Sequence, residues 1–307
     1  MRLLSPAILL LIVSIGKGSK DGGSIDDLFS KSGDREFRSH DNADLKKQIG
    51  ITPEEVGKCL KELEKDIEKK LRHYKSHPIP ETTFEKLLNN GGKLPDRIVP
   101  KIRQRGVVIV RNTVPRNLIH SWSGELIQYL YNNNAFPKES NQTVYETYWS
   151  KPQVAARQHP NIHMVQKALL SLWHTSGDSA VDVDLEKPLT YVDRLRIRQP
   201  NDSIFNLPPH VDGGGIERWK DNTYRQVYRH ILEGNWRDYD PFEVDYRVEA
   251  NMNEAGYSNG CTFFRAFQGL CIHLSPLSNV LSDHSKTTQF YYRIRQNENT
   301  FQTMSAN

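Results

Sequence analysis

The tripeptide His210-Val211-Asp212 can offer two ligands to one metal ion. In an extended strand, residues i and i+2 point to the same side with their backbones about 7 Å apart, so the imidazole and the carboxylate project together. Two histidines and one carboxylate on a single octahedral face, with the opposite face open, are the ligand set of non-haem Fe(II) oxygenases. With 11 histidines and 19 aspartates in 307 residues, a His-x-Asp arises about 0.7 times by chance, so its surroundings must carry the argument. Those surroundings are Pro208-Pro209 in front and Gly213-Gly214-Gly215 behind. The competing reading is a strand-end histidine and a turn aspartate that caps the glycine loop.

Other residues could complete such a site. His284 is the candidate third ligand, because residues 288–295 read as a following strand that would carry Arg293 or Arg295 to neutralise a dicarboxylate. Arg194, Arg196 and Arg198 alternate with Leu195 and Ile197, so three guanidinium forks share one strand face, able to clamp a carboxylate or phosphate or to remain solvated. Tyr148, Trp149, Arg157 and His159 suit either a substrate entrance or the core. Trp219 and Trp236 read as packing, His273 as a structural histidine, and His230 as a helical residue too near the motif to join it.

Composition bounds the rest. A hydrophobic content of 37% with 25% charged residues is that of an ordinary globular chain with one catalytic-size domain. The net charge of +4 comes from 41 basic residues interspersed with 37 acidic ones, which gives no basic block for nucleic acid. Cys59, Cys261 and Cys271 are odd in number and lack zinc-like spacing, so neither a disulfide framework nor a structural zinc is expected. Arg2, the apolar run over residues 6–13, and the small pair Ser14 and Gly16 match a signal peptide over residues 1–16. That run is short of the roughly 20 residues a membrane span needs. An iron(II) site suits a reducing compartment, so a cytoplasmic location is favoured and secretion is the alternative.

The elements that must position these residues follow from periodicity. Residues 17–51 are Gly, Ser, Asp and Lys rich and read as a flexible leader. Thr52, Pro53 and Glu55 form a helix-start signature, after which Val56, Leu60, Leu63, Ile67, Leu71 and Tyr74 mark one apolar face. Val107-Val108-Ile109-Val110 reads as a buried strand behind Gly106. Helices are expected from Pro115 to the Asn132-Asn133-Asn134 run, over residues 161–173, and from Tyr224 to a stop at Gly234. Residues 261–268 and 288–295 read as strands. The sum is an α+β chain, helices early and strands late.

Eight segments in order resemble the YbiU-like proteins, a family of unknown function similar to 2-oxoglutarate- and Fe(II)-dependent oxygenases. They are Arg105-Gly-Val-Val-Ile-Val-Arg111, Tyr148-Trp-Ser-Lys-Pro-Gln153, Ala156-Arg-Gln-His159, Asp193-Arg-Leu-Arg-Ile-Arg198, Pro209-His-Val-Asp-Gly-Gly214, Glu217-Arg-Trp219, Tyr239-Asp-Pro241 and Phe264-Arg-Ala-Phe-Gln-Gly269. The resemblance covers about residues 44–269. It implies a double-stranded β-helix of the jelly-roll, cupin-like kind, with supporting N-terminal helices and an incomplete C-terminus. It further implies that His210 and Asp212 are the first two iron ligands, that 2-oxoglutarate is the cosubstrate, and that a small molecule is hydroxylated. Residues 52–269 are then the oxygenase-like domain and 270–307 an unmatched tail. The alternative expectation is a truncated, non-catalytic relative acting as a binding module, or an incomplete gene product.

Overall fold

The computed structural model describes residues 39–50, 52–74, 79–134, 144–145, 147–177, 182–190, 192–197, 217–250, 264–272 and 289–294. Helix α1, Ser39–Ile49, begins inside the stretch read as a leader, so ordered structure starts earlier than composition implies. Leu45 explains it: one leucine buried to 6% exposure gives an otherwise polar helix a point of attachment.

Helix α2, Pro53–His73, starts as its sequence requires. The Thr52 hydroxyl accepts from the Glu55 N–H, and the Glu55 carboxylate accepts in return from the Thr52 N–H at 2.9 Å. Its apolar face behaves differently from expectation. Ile67 is buried and the C-cap Tyr74 lies under the Arg105 guanidinium at 4.1 Å, whereas Val56, Leu60 and Leu71 are exposed, so only part of the apolar stripe meets the body. Arg237 ties it down through Glu62 at 2.8 Å and Asp66 at 3.6 Å.

Strand β1, Glu81–Thr83, passes into helix α3, Phe84–Leu88, and helix α4, Val99–Arg105, precedes strand β2, Val107–Arg111. The turn between α4 and β2 is made by Gly106 at φ 66°, a left-handed conformation that favours glycine. Helix α5, Arg116–Asn132, strand β3, Val144–Tyr145, helix α6, Lys151–Arg157, helix α7, Pro160–Leu170, and strand β4, Leu195–Arg196, follow. Four short helices, α8 (Glu217–Lys220), α9 (Asn222–Arg225), α10 (Arg229–Leu232) and α11 (Asp245–Glu249), lead to strands β5, Phe267–Ile272, and β6, Gln289–Ile294.

The strands form a four-stranded sheet in the order β1-β2-β6-β5 and a separate β3-β4 ladder. β1 runs parallel to β2; β6 is antiparallel to both β2 and β5. Val108, Ile109 and Val110 are all buried, which is why β2 reads as an unbroken apolar run and not as an alternating one. The core lies between this sheet and helices α3 to α7, where Leu87, Ile102, Val165 and Leu169 have no exposed surface.

One expectation about the late strands needs correction. Residues 264–266 are not strand: Phe264, Ala266 and Phe267 all pack on the core, and the consecutive pair 266 and 267 cannot share a face in an alternating strand. The chain bends there and β5 begins at Phe267. Within the stretch read as an unmatched tail, β6 lies inside the sheet, with Tyr292 opposite Val108 and Gly269. Its run Gln289-Phe-Tyr-Tyr-Arg-Ile294, aromatic with a β-branched end, suits an inner strand. No described helix is long and apolar enough to cross a membrane.

Candidate functional site

His210, Asp212, His284, Arg198 and Arg295 lie outside the described residues. Among the described residues, no three His, Cys, Asp or Glu side chains converge to hold a metal ion. Arg293 is on β6, its Cα opposite those of Val107 and Gln268. Arg196 is on β4, paired with Val144, and Arg194 is exposed just before that strand. The strand expected over the three arginines is thus only two residues long where it is described. Its upstream limit has a cause: the backbone and side chain of Asp193 are engaged elsewhere.

That engagement builds the entry to the motif segment. Ser150 caps α6, and Gln153 closes the capping box by accepting from the Ser150 N–H at 3.3 Å and hydroxyl at 2.8 Å. The Gln153 amide nitrogen then donates to the Thr147 carbonyl and, at 2.8 Å, to the Asp193 carboxylate. Arg157, one turn on, pairs with the other Asp193 oxygen and donates to the Tyr148 carbonyl at 2.7 Å. A helix N-terminus, the loop before it and the residue leading into β4 are therefore one hydrogen-bonded unit, from which the chain departs toward His210.

The exit is fixed as well. Arg218 is 3% exposed, with its guanidinium over the Tyr224 ring at 5.4 Å, and Trp219 stacks on Tyr228 at 4.3 Å between ring centroids. Arg225 donates to the Trp219 carbonyl at 2.8 Å, and Asp221 caps α9. Trp219 and Trp236 pack as expected, Trp236 being buried.

A buried polar network joins this exit cluster to the core. Arg229 forms a two-pronged pair with Glu243 at 3.0 and 3.1 Å. Arg247, 2% exposed, donates to the Glu243 carbonyl and, at 2.9 Å, to the Tyr239 hydroxyl. The Asp245 carboxylate accepts from both the N–H and the hydroxyl of Ser176. Burial alone would push the Glu243 carboxyl up, but hydrogen bonds from Arg229 and Ser176 and the charges of Arg229 and Arg247 outweigh it and hold the group below its usual range. Sequence reasoning missed these residues, since charged side chains are read as surface unless something announces a partner. Among the family-like segments, Tyr239-Asp-Pro241 held the one member of this network, Tyr239, that the sequence flagged.

His159 has a structural task. Its Nδ1 accepts from the Asn161 N–H at 3.2 Å and so caps α7, while Trp122 meets the imidazole edge-on at 5.8 Å. Burial pushes the imidazole pKa down, which favours the neutral form the cap requires. Of the four entrance candidates, Trp149 is the one displayed to solvent, at 72% exposure.

Comparison with known proteins extends this picture. The Uncharacterized protein YbiU of Escherichia coli (strain K12) is 29% identical over 182 residues, covering 55% of this chain and 43% of that protein. The crystal structure of GlcNAc Inducible Gene 2 from Candida albicans superposes with a TM-score of 0.65 at 30% identity, over 77% of this chain and 51% of that one. A Salmonella typhimurium LT2 protein, named provisionally as an oxidoreductase, matches with a TM-score of 0.53 at 24% identity, over 66% and 52% of the two chains. The chain thus spans about half the length of these relatives. The Gig2-like family model matches residues 39–280, a wider span than the eight segments, and it starts where α1 starts and reaches beyond β5. This chain belongs to the Gig2-like family.

Proposed function

We propose that this protein is an oxidoreductase of the non-haem Fe(II), 2-oxoglutarate-dependent type that hydroxylates a small molecule, with its site on a double-stranded β-helix. The observation that carries the reading is His210-Val211-Asp212, set between the anchored entry at Asp193 and the anchored exit at Arg218. Both ends of the motif segment are held by hydrogen bonds and ring stacking, as a site requiring ligands at fixed positions needs. The donor set fits the ion: imidazole and carboxylate, without thiolate, suit octahedral iron. His284 is assigned as the third ligand. Arg293 or Arg295 is assigned to the far carboxylate of 2-oxoglutarate, with Arg194, Arg196 and Arg198 available to an anionic substrate. When bound, the iron supplies the redox centre, while the chain contributes ligand orientation and exclusion of water. The provisional naming of the Salmonella protein agrees with this class of chemistry.

The test measures succinate formed from 2-oxoglutarate with iron and ascorbate, alongside Fe(II) binding by equilibrium dialysis. The parent chain, His210→Ala, Asp212→Ala and His284→Ala are compared. Turnover and binding that fall together in all three variants support the assignment. Succinate formation indifferent to His210→Ala and Asp212→Ala, or iron binding by the parent no stronger than by those variants, overturns it.

A further inference from the structure

We propose that Trp149 is a stacking platform for a ligand with an electron-rich planar heteroaromatic ring and an anionic substituent. The indole is 72% exposed, yet its orientation is not left to solvent. The Arg157 guanidinium lies over one face at 5.0 Å from the ring centroid. Arg157 itself is held by the Asp193 carboxylate and the Tyr148 carbonyl, and its side chain is 13% exposed. Asp193 is in turn fixed by Gln153. The chain therefore spends a rigid polar unit on presenting an aromatic ring whose second face meets water.

The chemistry of the ligand follows from what surrounds that face. A cation behind the indole draws electron density away, so a cation on the open face would meet the Arg157 charge through the ring. A planar, electron-rich ring stacks there without that penalty. Asp193 is neutralised by Arg157, and the residues that flank the platform unit in the chain, Glu146 and the exposed Lys151 and Arg194, leave a net charge of +1. That balance favours an anionic group on the stacked ring. The binding stands apart from the oxygenase reading.

The experiment is calorimetry on the full chain without iron or 2-oxoglutarate, using adenosine monophosphate as the complete probe and adenosine and ribose 5-phosphate as its two halves. The parent should bind adenosine monophosphate more tightly than either half. Trp149→Leu should weaken it about tenfold, as loss of one base–aromatic stack does, with Trp149→Phe retaining most of the affinity. The exposed position predicts an unchanged thermal midpoint for both variants. Paired reversal by Lys151→Glu and Arg194→Glu should weaken adenosine monophosphate about tenfold and leave adenosine unaffected. No heat from adenosine monophosphate at millimolar concentration overturns the proposal. So does a half-probe that binds as tightly as the whole, or a Trp149→Leu chain that matches the parent. Succinate formation is read separately, so either proposal can fail alone.

Discussion

Gln153 is the residue on which the entry to the motif segment turns, and replacing it tests that account. Gln153→Leu keeps most of the volume of a side chain that is 4% exposed and removes its amide. The Thr147 carbonyl and the Ser150 hydroxyl and N–H lose their partner inside the structure, whereas Asp193, 46% exposed, can turn to water and is discounted. Counting Thr147 and Ser150 as two sites of stranded buried polar groups at about 1–3 kcal/mol each, less about 1 kcal/mol regained from the apolar side chain, gives a loss of about 1–5 kcal/mol. Urea unfolding at pH 7 should show this as a lower midpoint with an unchanged slope. Gln153→Glu sharpens the test. A carboxylate there faces the Asp193 carboxylate, and burial with like charge raises its pKa in the folded state above that in the unfolded chain. The folded chain then binds the extra proton more readily, so stability relative to the parent recovers as pH falls and the protonated acid regains a donor. A Gln153→Leu chain that loses less than about 0.5 kcal/mol, or a Gln153→Glu deficit as large at pH 5 as at pH 7, would refute the reasoning.

Two further outcomes are expected. The His159 cap needs a neutral imidazole whose folded pKa is depressed below 6.5, so its contribution of about 1 kcal/mol is complete above that value and is lost as pH falls through the folded pKa. His159→Asn, which caps without titrating, should flatten this part of the pH dependence in thermal melts between pH 7.5 and 5. Leu169→Ala, at a core position with no exposed surface, should cost about 2–5 kcal/mol in chemical denaturation, with no change in ligand binding at Trp149.

Local signals carried the sequence reading furthest. Thr52-Pro53-x-Glu55 announced α2 because a cap is made by neighbours in the chain, and the β2 run announced itself because both faces are covered. The Gly234 stop was legible for the same reason. What failed depends on distant partners. The exposure of Val56, Leu60 and Leu71 cannot be read from a periodicity that reports only which residues share a face. The bend at 264–266 is dictated by Trp173, nearly a hundred residues earlier, which meets Phe264 at 5.3 Å and Phe267 at 6.2 Å. Arg229, Glu243, Asp245 and Arg247 look like surface charges until packing sets each beside its partner.

The position of β6 has a consequence for how the chain is made. β2 pairs on one side with β1, which precedes it closely, and on the other with a strand that leaves the ribosome about 180 residues later, roughly ten to forty seconds at ordinary rates of synthesis. Through that interval the most apolar of the described strands has an unsatisfied edge, the kind of surface that recruits stray strands from other chains. Such a nascent chain depends on being shielded during translation, and a ribosome stalled between β5 and β6 would release a product prone to aggregate even with every earlier helix in place.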